Sequence, residues 1–495
     1  MKRFLLLAAA LSAALATAAE AQRSRRPAAA APAPATLTQL SDQVSEQRLR
    51  EIVERLVSFG TRHTLSSQDH PTRGIGAALN WTEAEFRRYA RECGGCLEVV
   101  RTSDTVTNRR IPNPTRVTNV VAIQRGTTDP NRVIVITGHI DSRVTDVMNA
   151  TADSPGANDD GSGTAAVIEA ARVLSKHKFP GTIVYAALSG EEQGLHGGKI
   201  IADYARAQGW NVIANLNNDI VGNSCGSDGV CNAKQVRIFS EGPRWQGREA
   251  LASQIRSRGG ENDSPSRNLS RFLDTLAERL HGDIGIDVMQ IWRIDRFGRG
   301  GDHTEFLNAG FPAVRFSVAV EDYDHQHQDL RVEKGVKYGD TVDEMDFDYL
   351  VRVTKLNVAA LAWLASAPPP PEPTVEGAVS TDTTVSFEPV KGVARYLLWW
   401  RRTDANQWPF REQFMAIPAA GERLPILCGV PVTEVGSGRS VPDKCKVEVV
   451  LEGIRVDDWV FGVSSVGANG FESPVAAAVP GGAFKPYVEP KNPSP

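Results

Sequence analysis

Two adjacent glutamates form the most specific local signal of chemistry in this chain. Glu191 and Glu192 follow the continuously apolar segment TIVYAAL within the stretch AALSGEEQGLHGG. Two like charges beside a buried segment are costly unless a positive group neutralises them. A metal cation would do so, because one glutamate can bind the metal while its neighbour acts as a general base on water.

Four further stretches carry residue types that bind metals. Each has an ordinary structural explanation when taken alone, such as a capped strand end, a helix N-cap or a structural histidine. Two histidines within three residues, beside acids, favour a ligand more than one histidine would. The residues are His139 and Asp141 in VIVITGHIDSR, Asp159 and Asp160 in PGANDDGSGTAAV, Asp219 in NLNNDIVGN, and His325 and His327 in EDYDHQHQD.

The predicted position of these stretches at strand ends is the reason to consider them together. In an open α/β sheet, the carboxyl ends of the strands meet at one crevice. The resulting set of imidazole and carboxylate groups suits zinc better than calcium, which prefers oxygen ligands alone. No thiolate would be available if the cysteines are paired.

The elements that must position these residues alternate along the chain. Helical spacing is present between about residues 41 and 91, and short Val- and Ile-rich segments then alternate with helices. Buried apolar strands alternating with helices predict an α/β fold with a mostly parallel mixed sheet flanked by helices. Residues 241–285 are predicted to be a polar, partly helical insertion, and residues 346–365 a closing helix.

The domain organisation follows from changes in composition. A proline run centred on Pro368 to Pro371 predicts a semi-rigid linker. Beyond it, alternating segments with Gly, Asn and Asp at the turns predict a small C-terminal β-sandwich. The segments ARYLLWWRR and WVFGVSSVGANGFESP resemble a fibronectin type III module. The chain is predicted to contain a signal peptide (residues 1–21), a flexible leader (22–40), the main domain (41–366), the linker (367–373) and the fibronectin-like module (374–495).

The N-terminus indicates export. Lys2 and Arg3 precede an apolar run that ends in the small-x-small pattern Ala19, Glu20, Ala21. This pattern is typical of a cleaved secretory signal, and the run is short for the alternative, a membrane anchor. No other span is predicted, so the mature chain is expected to be periplasmic or secreted without a stable membrane span. The net charge of −4 with no basic block argues against nucleic acid as a partner.

Six cysteines fit an oxidising destination. They fall into three pairs that are close in sequence, and we predict three short-loop disulfides. The alternative for the first pair is a redox or zinc motif, although no second CxxC exists to complete a four-cysteine site. The pairs are Cys93 with Cys96, Cys225 with Cys231, and Cys428 with Cys445.

In their order and spacing, GHIDS, PGANDDGSG, SGEEQGLHGG, NND and HQHQD resemble the M28 family of di-zinc peptidases, which includes secreted bacterial aminopeptidases. The resemblance spans roughly residues 45–366, and GGDHTEFLNAGFPAV also matches the family. It implies a phosphorylase/hydrolase-like peptidase domain and two Zn²⁺ ions. It further implies peptide substrates with a free N-terminus.

The resemblance also implies roles for individual residues. One zinc would be held by His139 and Asp219, the other by Glu192 and a late histidine, with Asp159 bridging both. The catalytic roles would be those of Glu191, as general base, and of Asp141, which would orient the His139 side chain without binding the metal itself. The stretch HQHQD, residues 325–329, departs from the pattern H-T-x-x-D that is typical of the family. We prefer His327 to His325 because it lies closer to the following Asp329, and we expect His303 to be structural or to line the pocket.

Alternatives to an aminopeptidase stay open on these residues. Relatives with the same ligand set include carboxypeptidases, dipeptidases and glutaminyl cyclases. An inactive peptidase fold that acts as a binding protein is a second class, against which the intact motifs argue. Calcium-stabilised adhesion, a third class, conflicts with histidine ligands. The preferred side chain and the oligomeric state are left open.

Overall fold

The computed structural model describes residues 35–243, 253, 255–415, 426–427 and 446–478. It contains a large mixed sheet flanked by helices, followed by small antiparallel sheets near the C-terminus. The predicted fold class is confirmed. The predicted signal peptide, residues 1–21, lies outside the described residues.

Along the chain, most of the helices connect strands of the large sheet or precede its first strand. They begin where the sequence supplies caps: Ser45 accepts a hydrogen bond from the Arg48 amide, and Asp160 accepts one from the Gly163 amide. The helices are α1 Ala35–Ser41, α2 Glu46–Val57, α3 Ile75–Glu92, α4 Gly161–Leu174, α5 His196–Ala207, α6 Pro265–Arg279, α7 His281–Ile284, α8 His303–Asn308 and α9 Phe347–Ser366.

The strands form one large sheet, a short hairpin and two small C-terminal sheets. Those of the large sheet and hairpin are β1 Glu98–Asn108, β2 Ile111–Gln124, β3 Asp129–His139, β4 Gly181–Leu188, β5 Asn211–Asn218, β6 Gln235–Ser240, β7 Asp287–Ile291, β8 Ala313–Val318, β9 Arg331–Glu333 and β10 Val336–Tyr338. Those of the C-terminal sheets are β11 Thr374–Glu376, β12 Thr383–Phe387, β13 Val393–Arg402, β14 Phe410–Met415, β15 Ile426–Leu427, β16 Lys446–Leu451, β17 Trp459–Gly467 and β18 Ala476–Ala477.

The large sheet has the order β1-β2-β4-β3-β5-β8-β6-β7. Its four central strands, β4, β3, β5 and β8, are mutually parallel, whereas β2 and β6 join them antiparallel. Strand β4 is buried along its whole length because helices cover both faces. The parallel register places the carboxyl ends of the four central strands at one edge, where the predicted site residues follow.

Two glycines let α4 start directly against the ends of the central strands. A Cβ on Gly138 would lie 2.5 Å from the carbonyl carbon of Gly163, and one on Gly163 would lie 2.2 Å from the carbonyl oxygen of Asn218. Only glycine allows the backbones to approach so closely. The start of α4, with the two acids that precede it, is therefore held against β3 and β5.

The N-terminal boundary differs from the prediction. The sequence predicts a flexible leader over residues 22–40, but α1 is helical from Ala35, and Leu37 and Leu40 are buried in the main core. Burial of these apolar side chains offsets the entropy of ordering a short helix. Within the described residues, we find no helix with the length and apolarity needed to cross a bilayer.

Two of the predicted disulfides are present. Cys93 is bonded to Cys96 and Cys225 to Cys231. The predicted pair of Cys428 and Cys445 lies outside the described residues. The CxxC sequence is therefore a disulfide here, and no described cysteine is available as a thiolate ligand.

The C-terminal sheets, β11-β12-β16-β15 and β14-β13-β17-β18, share a core that includes Phe387, Trp400 and Val463. They also contact the main domain through a buried ionic cluster. Arg401 donates to both carboxylate oxygens of Asp263, at 2.7 and 2.8 Å, and Arg271 lies 3.4 Å from the same carboxylate. All three side chains are buried, so the cluster is shielded from water.

Replacement of Asp263 by alanine is expected to destabilise the protein by about 3–5 kcal/mol, because it leaves the Arg401 and Arg271 guanidinium groups buried without their carboxylate. The midpoint of urea unfolding measures the effect. The matched control is Asp404→Ala, which removes an exposed pair with Arg402 and should change stability by less than about 1 kcal/mol. Equal midpoints for the two variants would contradict the prediction.

Candidate metal centre

The carboxyl ends of three neighbouring strands supply the centre of the site. His139 is the last residue of β3, Glu191 and Glu192 follow β4, and Asp219 follows β5. Their side chains reach one edge of the sheet because the three strands are parallel and adjacent. His327 comes from the loop that follows β8.

Two groups of ligand-type side chains lie at this edge. The ligand atoms within each group are all within 4.8 Å of one another. No member is more than partly exposed. The first group is His139, Glu191 and Asp219, and the second is Asp159, Glu192 and His327.

Asp159 lies between the two groups. Its Oδ1 is 3.2 Å from Nε2 of His139, and its Oδ2 is 2.8 Å from Nε2 of His327. The His139 Nε2 atom is also 3.8 Å from Asp219, and the His327 Nε2 atom is 2.9 Å from Glu192. One carboxylate therefore faces both histidines, which is the arrangement expected of a ligand that bridges two cations.

The donor set fits divalent zinc. It combines imidazole nitrogen with carboxylate oxygen. Because Asp159 faces both histidines, three side chains are available on each side without Glu191, which is the number that a catalytic zinc with an open position requires. Buried carboxylates also outnumber the cationic side chains around them, which is unfavourable unless cations are added. His139, Asp159, Glu192, Asp219 and His327 would hold the metal ions.

Glu191 lies in the first group, whereas the resemblance assigns it the role of general base. Its carboxylate is near those of Glu192 and Asp219. Burial, with these neighbouring acids, raises the pKa of Glu191 well above its usual value although His139 opposes the shift. A raised pKa suits a group that must accept a proton and release it again near neutrality.

The surrounding acids raise the pKa of both histidines, which favours their protonated, positively charged form. Burial lowers the pKa of His327, but Glu192 and Asp159 raise it to about 10. Burial likewise opposes protonation of His139, yet Glu191 and the adjacent aspartates raise the pKa of His139 well above its usual value. A bound metal would replace these protons.

Asp141 organises the loop that carries the two glutamates. Its carboxylate accepts hydrogen bonds from the amides of Glu191 and Glu192 and from the hydroxyl of Thr64. The predicted contact with His139 takes a different form. The Nδ1 atom of His139 lies 3.0 Å from the backbone carbonyl oxygen of Asp141 and 3.7 Å from its carboxylate, which the other donors occupy.

The Asp160 carboxylate connects the ends of three structural elements by hydrogen bonds. It accepts hydrogen bonds from the amides of His139, Gly163 and Ile220, at 2.8, 2.8 and 3.3 Å. It thereby joins the end of β3, the start of α4 and the residue after Asp219. The carboxylate thereby positions His139 and Asp219, and Asp160 belongs to neither group of ligand-type side chains.

Two arginines at the site, the buried Arg315 and the half-buried Arg143, are not predicted from the sequence. Arg315 donates to the Asp219 carboxylate at 2.8 Å, and Arg143 donates to Glu192 at 2.8 Å and lies 2.6 Å from Nδ1 of His327. A signal for Arg315 was available, since it is a single charge within the apolar strand AVRFSV. No comparable signal marks Arg143.

The other candidate histidines lie outside the two groups. His325 is 2.6 Å from Asp322 and 3.5 Å from Glu344. His303 is fully buried and its Nε2 atom is 2.8 Å from the carbonyl oxygen of Ile294. Of the two residues in HQHQD, the structure therefore brings only His327 into a ligand group.

A pocket of about 320 Å³ opens over the two groups. Its floor is formed by Asp159, Glu191, Glu192, Asp219 and His327. The rest of its lining, here called the basic wall, contains Arg110, Arg296 and Arg299 together with Leu195 and three glycines. The volume is at the lower end of the range for ligand pockets, which fits a small ligand.

Comparison with known proteins gives a consistent result. Residues 119–334 match the family model described as Peptidase family M28. A probable zinc metalloprotease of Leptosphaeria maculans is 42% identical over 89% of this chain and 96% of its own length. A probable zinc metalloprotease of Pyrenophora teres f. teres is 42% identical over 90% of this chain and 87% of its own length.

Among solved structures, LapB from Legionella pneumophila is 20% identical, with a TM-score of 0.49, over 69% of this chain and 78% of that chain. The two zinc metalloproteases are fungal proteins, so the predicted likeness to the secreted bacterial type stays a prediction.

Proposed function

Because the chain belongs to peptidase family M28 and is a zinc metallopeptidase, we propose that it is an exported aminopeptidase that uses two zinc ions. The observation that carries the proposal is the position of Asp159 between two histidines, with Glu191 beside them. Zinc held there would polarise the scissile carbonyl and lower the pKa of water.

The residues of the chain supply the proton transfers and the orientation. Glu191 accepts a proton from the attacking water and returns it to the amine of the leaving residue. Asp141 holds the backbone amides of Glu191 and Glu192 in place, and Asp160 holds the backbone around His139 and Asp219. The carboxylates at this edge can also accept hydrogen bonds from a cationic α-amine, which supports cleavage at a free N-terminus.

Export is supported by the N-terminal signal pattern and by the two disulfides. We propose a periplasmic or secreted protein that is processed after Ala21. Sequencing the N-terminus of protein from the periplasm and the medium tests this, and an intact Met1 in both would contradict it.

We also propose that the C-terminal part is a fibronectin type III-like module. Two antiparallel sheets with a shared core of inward-facing side chains support this.

The test of the function is mass spectrometry of a mixed peptide pool after incubation with the zinc-loaded mature protein. We expect stepwise loss of residues from free N-termini and none from matched N-acetylated peptides. Removal of zinc by a chelator should abolish the loss, and added zinc should restore it. C-terminal trimming, or loss of water from N-terminal glutamine alone, would replace the proposal with a carboxypeptidase or a glutaminyl cyclase.

A further inference from the structure

The basic wall of the pocket contains three arginines in two different situations. Arg296 contacts Asp295 at 2.9 Å, and Arg299 contacts the buried Glu321 at 2.8 Å. These two guanidinium groups have carboxylate partners within the protein. For Arg110, by contrast, the part of the chain that the structure describes offers no carboxylate at ion-pair distance.

Arg110 is nevertheless held at a defined place. It lies in the turn between β1 and β2, where the Asn108 side chain accepts hydrogen bonds from the amides of Arg110 and Ile111 at 2.6 and 2.8 Å. The amide group of Asn108 also contacts His196 at 2.7 Å, which joins the turn to the segment following the two glutamates.

The Arg110 side chain reaches the site itself. Its Nη1 atom donates to the backbone carbonyl oxygen of Glu192 at 2.8 Å, and the residue lines the pocket. A guanidinium has several N–H groups, and this contact uses one of them. The side chain is otherwise exposed, so its remaining donors are available to a bound molecule.

We propose that Arg110 binds a carboxylate of the substrate and thereby selects short peptides that carry a negative charge beyond the cleaved bond. The proposal rests on the proposed function for the identity of the substrate. Arginine suits this role because its planar N–H groups match a carboxylate in paired hydrogen bonds. The substrate carboxylate is either the C-terminus of a dipeptide or an acidic side chain in the second position.

The pocket supports this assignment by its size and by its charge. A volume of about 320 Å³ is sufficient for a small peptide. Arg296 and Arg299 are paired with Asp295 and Glu321, so the positive charge of this wall that has no described carboxylate partner is that of Arg110. The substrate would therefore place its amine toward the carboxylates of the floor and its negative group toward Arg110.

The first experiment measures binding, so that it does not depend on turnover. Calorimetry compares alanyl-alanine with its amide, and alanyl-aspartate α-amide with alanyl-asparagine amide, each with a reduced, uncleavable peptide bond. We expect zinc-loaded wild-type protein to bind at least one charged member roughly tenfold or more tightly than its neutral partner. Arg110→Ala should remove that preference, and Arg110→Lys should restore part of it.

The matched control is Arg109→Ala, because Arg109 is exposed in the same turn and does not line the pocket. It should keep the preference. Equal binding of charged and neutral members by the wild type would overturn the proposal. So would an equal loss for both members in Arg110→Ala, which would indicate only a structural contact with the Glu192 carbonyl.

The second experiment repeats the series with cleavable peptides. We expect Arg110→Ala to raise KM for the charged member roughly tenfold more than KM for the neutral member, so that the ratio of their kcat/KM values falls by about the same factor. A fall in kcat for both members would overturn the proposal. If the wild type shows the Arg110-dependent binding preference but cleaves no free N-terminus, the aminopeptidase proposal fails and the carboxylate site stands.

Discussion

Glutamine in place of Glu191 is expected to lower kcat by about 10²–10⁴-fold while the zinc content stays unchanged. The amide keeps the size of the side chain but cannot accept the proton of the attacking water. Burial, with Glu192 and Asp219 nearby, raises the pKa of the Glu191 carboxyl, which is the direction that favours proton acceptance. Initial rates on a cleaved peptide and metal analysis of the same sample measure the two effects.

The control for this variant is Glu98→Gln, which changes an exposed glutamate paired with Arg125 and should leave kcat unchanged. Two outcomes would contradict the assignment. Retained turnover would show that another group takes the proton. Loss of one zinc would show that Glu191 is a ligand of the group it shares with His139 and Asp219.

Replacement of Asp159 by alanine is expected to remove zinc from both groups and to lower kcat/KM by more than about 100-fold. Its two oxygens face His139 and His327, at 3.2 and 2.8 Å, so one substitution removes a ligand from each side. Loss of a residue that only orients a ligand already costs about 10–100-fold in metal affinity or activity. Metal analysis after gel filtration and titration of activity with zinc provide the measurements.

Asp343→Ala is the control for this experiment, because Asp343 is an exposed acid paired with Lys337 and lies outside both groups. It should keep its zinc and its activity. An Asp159→Ala protein that retains two zinc ions per chain would rule out a bridging role. Loss of one zinc alone would assign Asp159 to a single group.

Much of the architecture could be predicted because its signals are local. The apolar run TIVYAAL became the buried strand β4, and the spacing of Leu49, Ile52, Val53 and Leu56 became the buried face of α2. Periodicity records which side of an element faces the core, whatever the rest of the chain does. The leader was less predictable, because α1 is stabilised by burial of Leu37 in a core made by distant residues.

The candidate ligands could also be proposed from sequence, because most of them directly follow or end predicted strands. His139, Glu192 and Asp219 each stand at such a position, and parallel strands bring their ends together. The choice between His325 and His327 had no comparable basis. Both lie in one short loop, and only the path of that loop places His327 against Asp159 and Glu192.

By itself, then, the sequence determined the type of fold and the set of residues able to bind zinc, since both depend on residue identity and short-range pattern. The tertiary structure decided how that set divides into two groups, and which arginines face an acid. Arg315 is paired with Asp219, whereas the Arg110 guanidinium donates to a backbone carbonyl and has further N–H groups available toward the pocket. Charge pairing is a property of distances between residues far apart in the chain, and no local pattern records those distances.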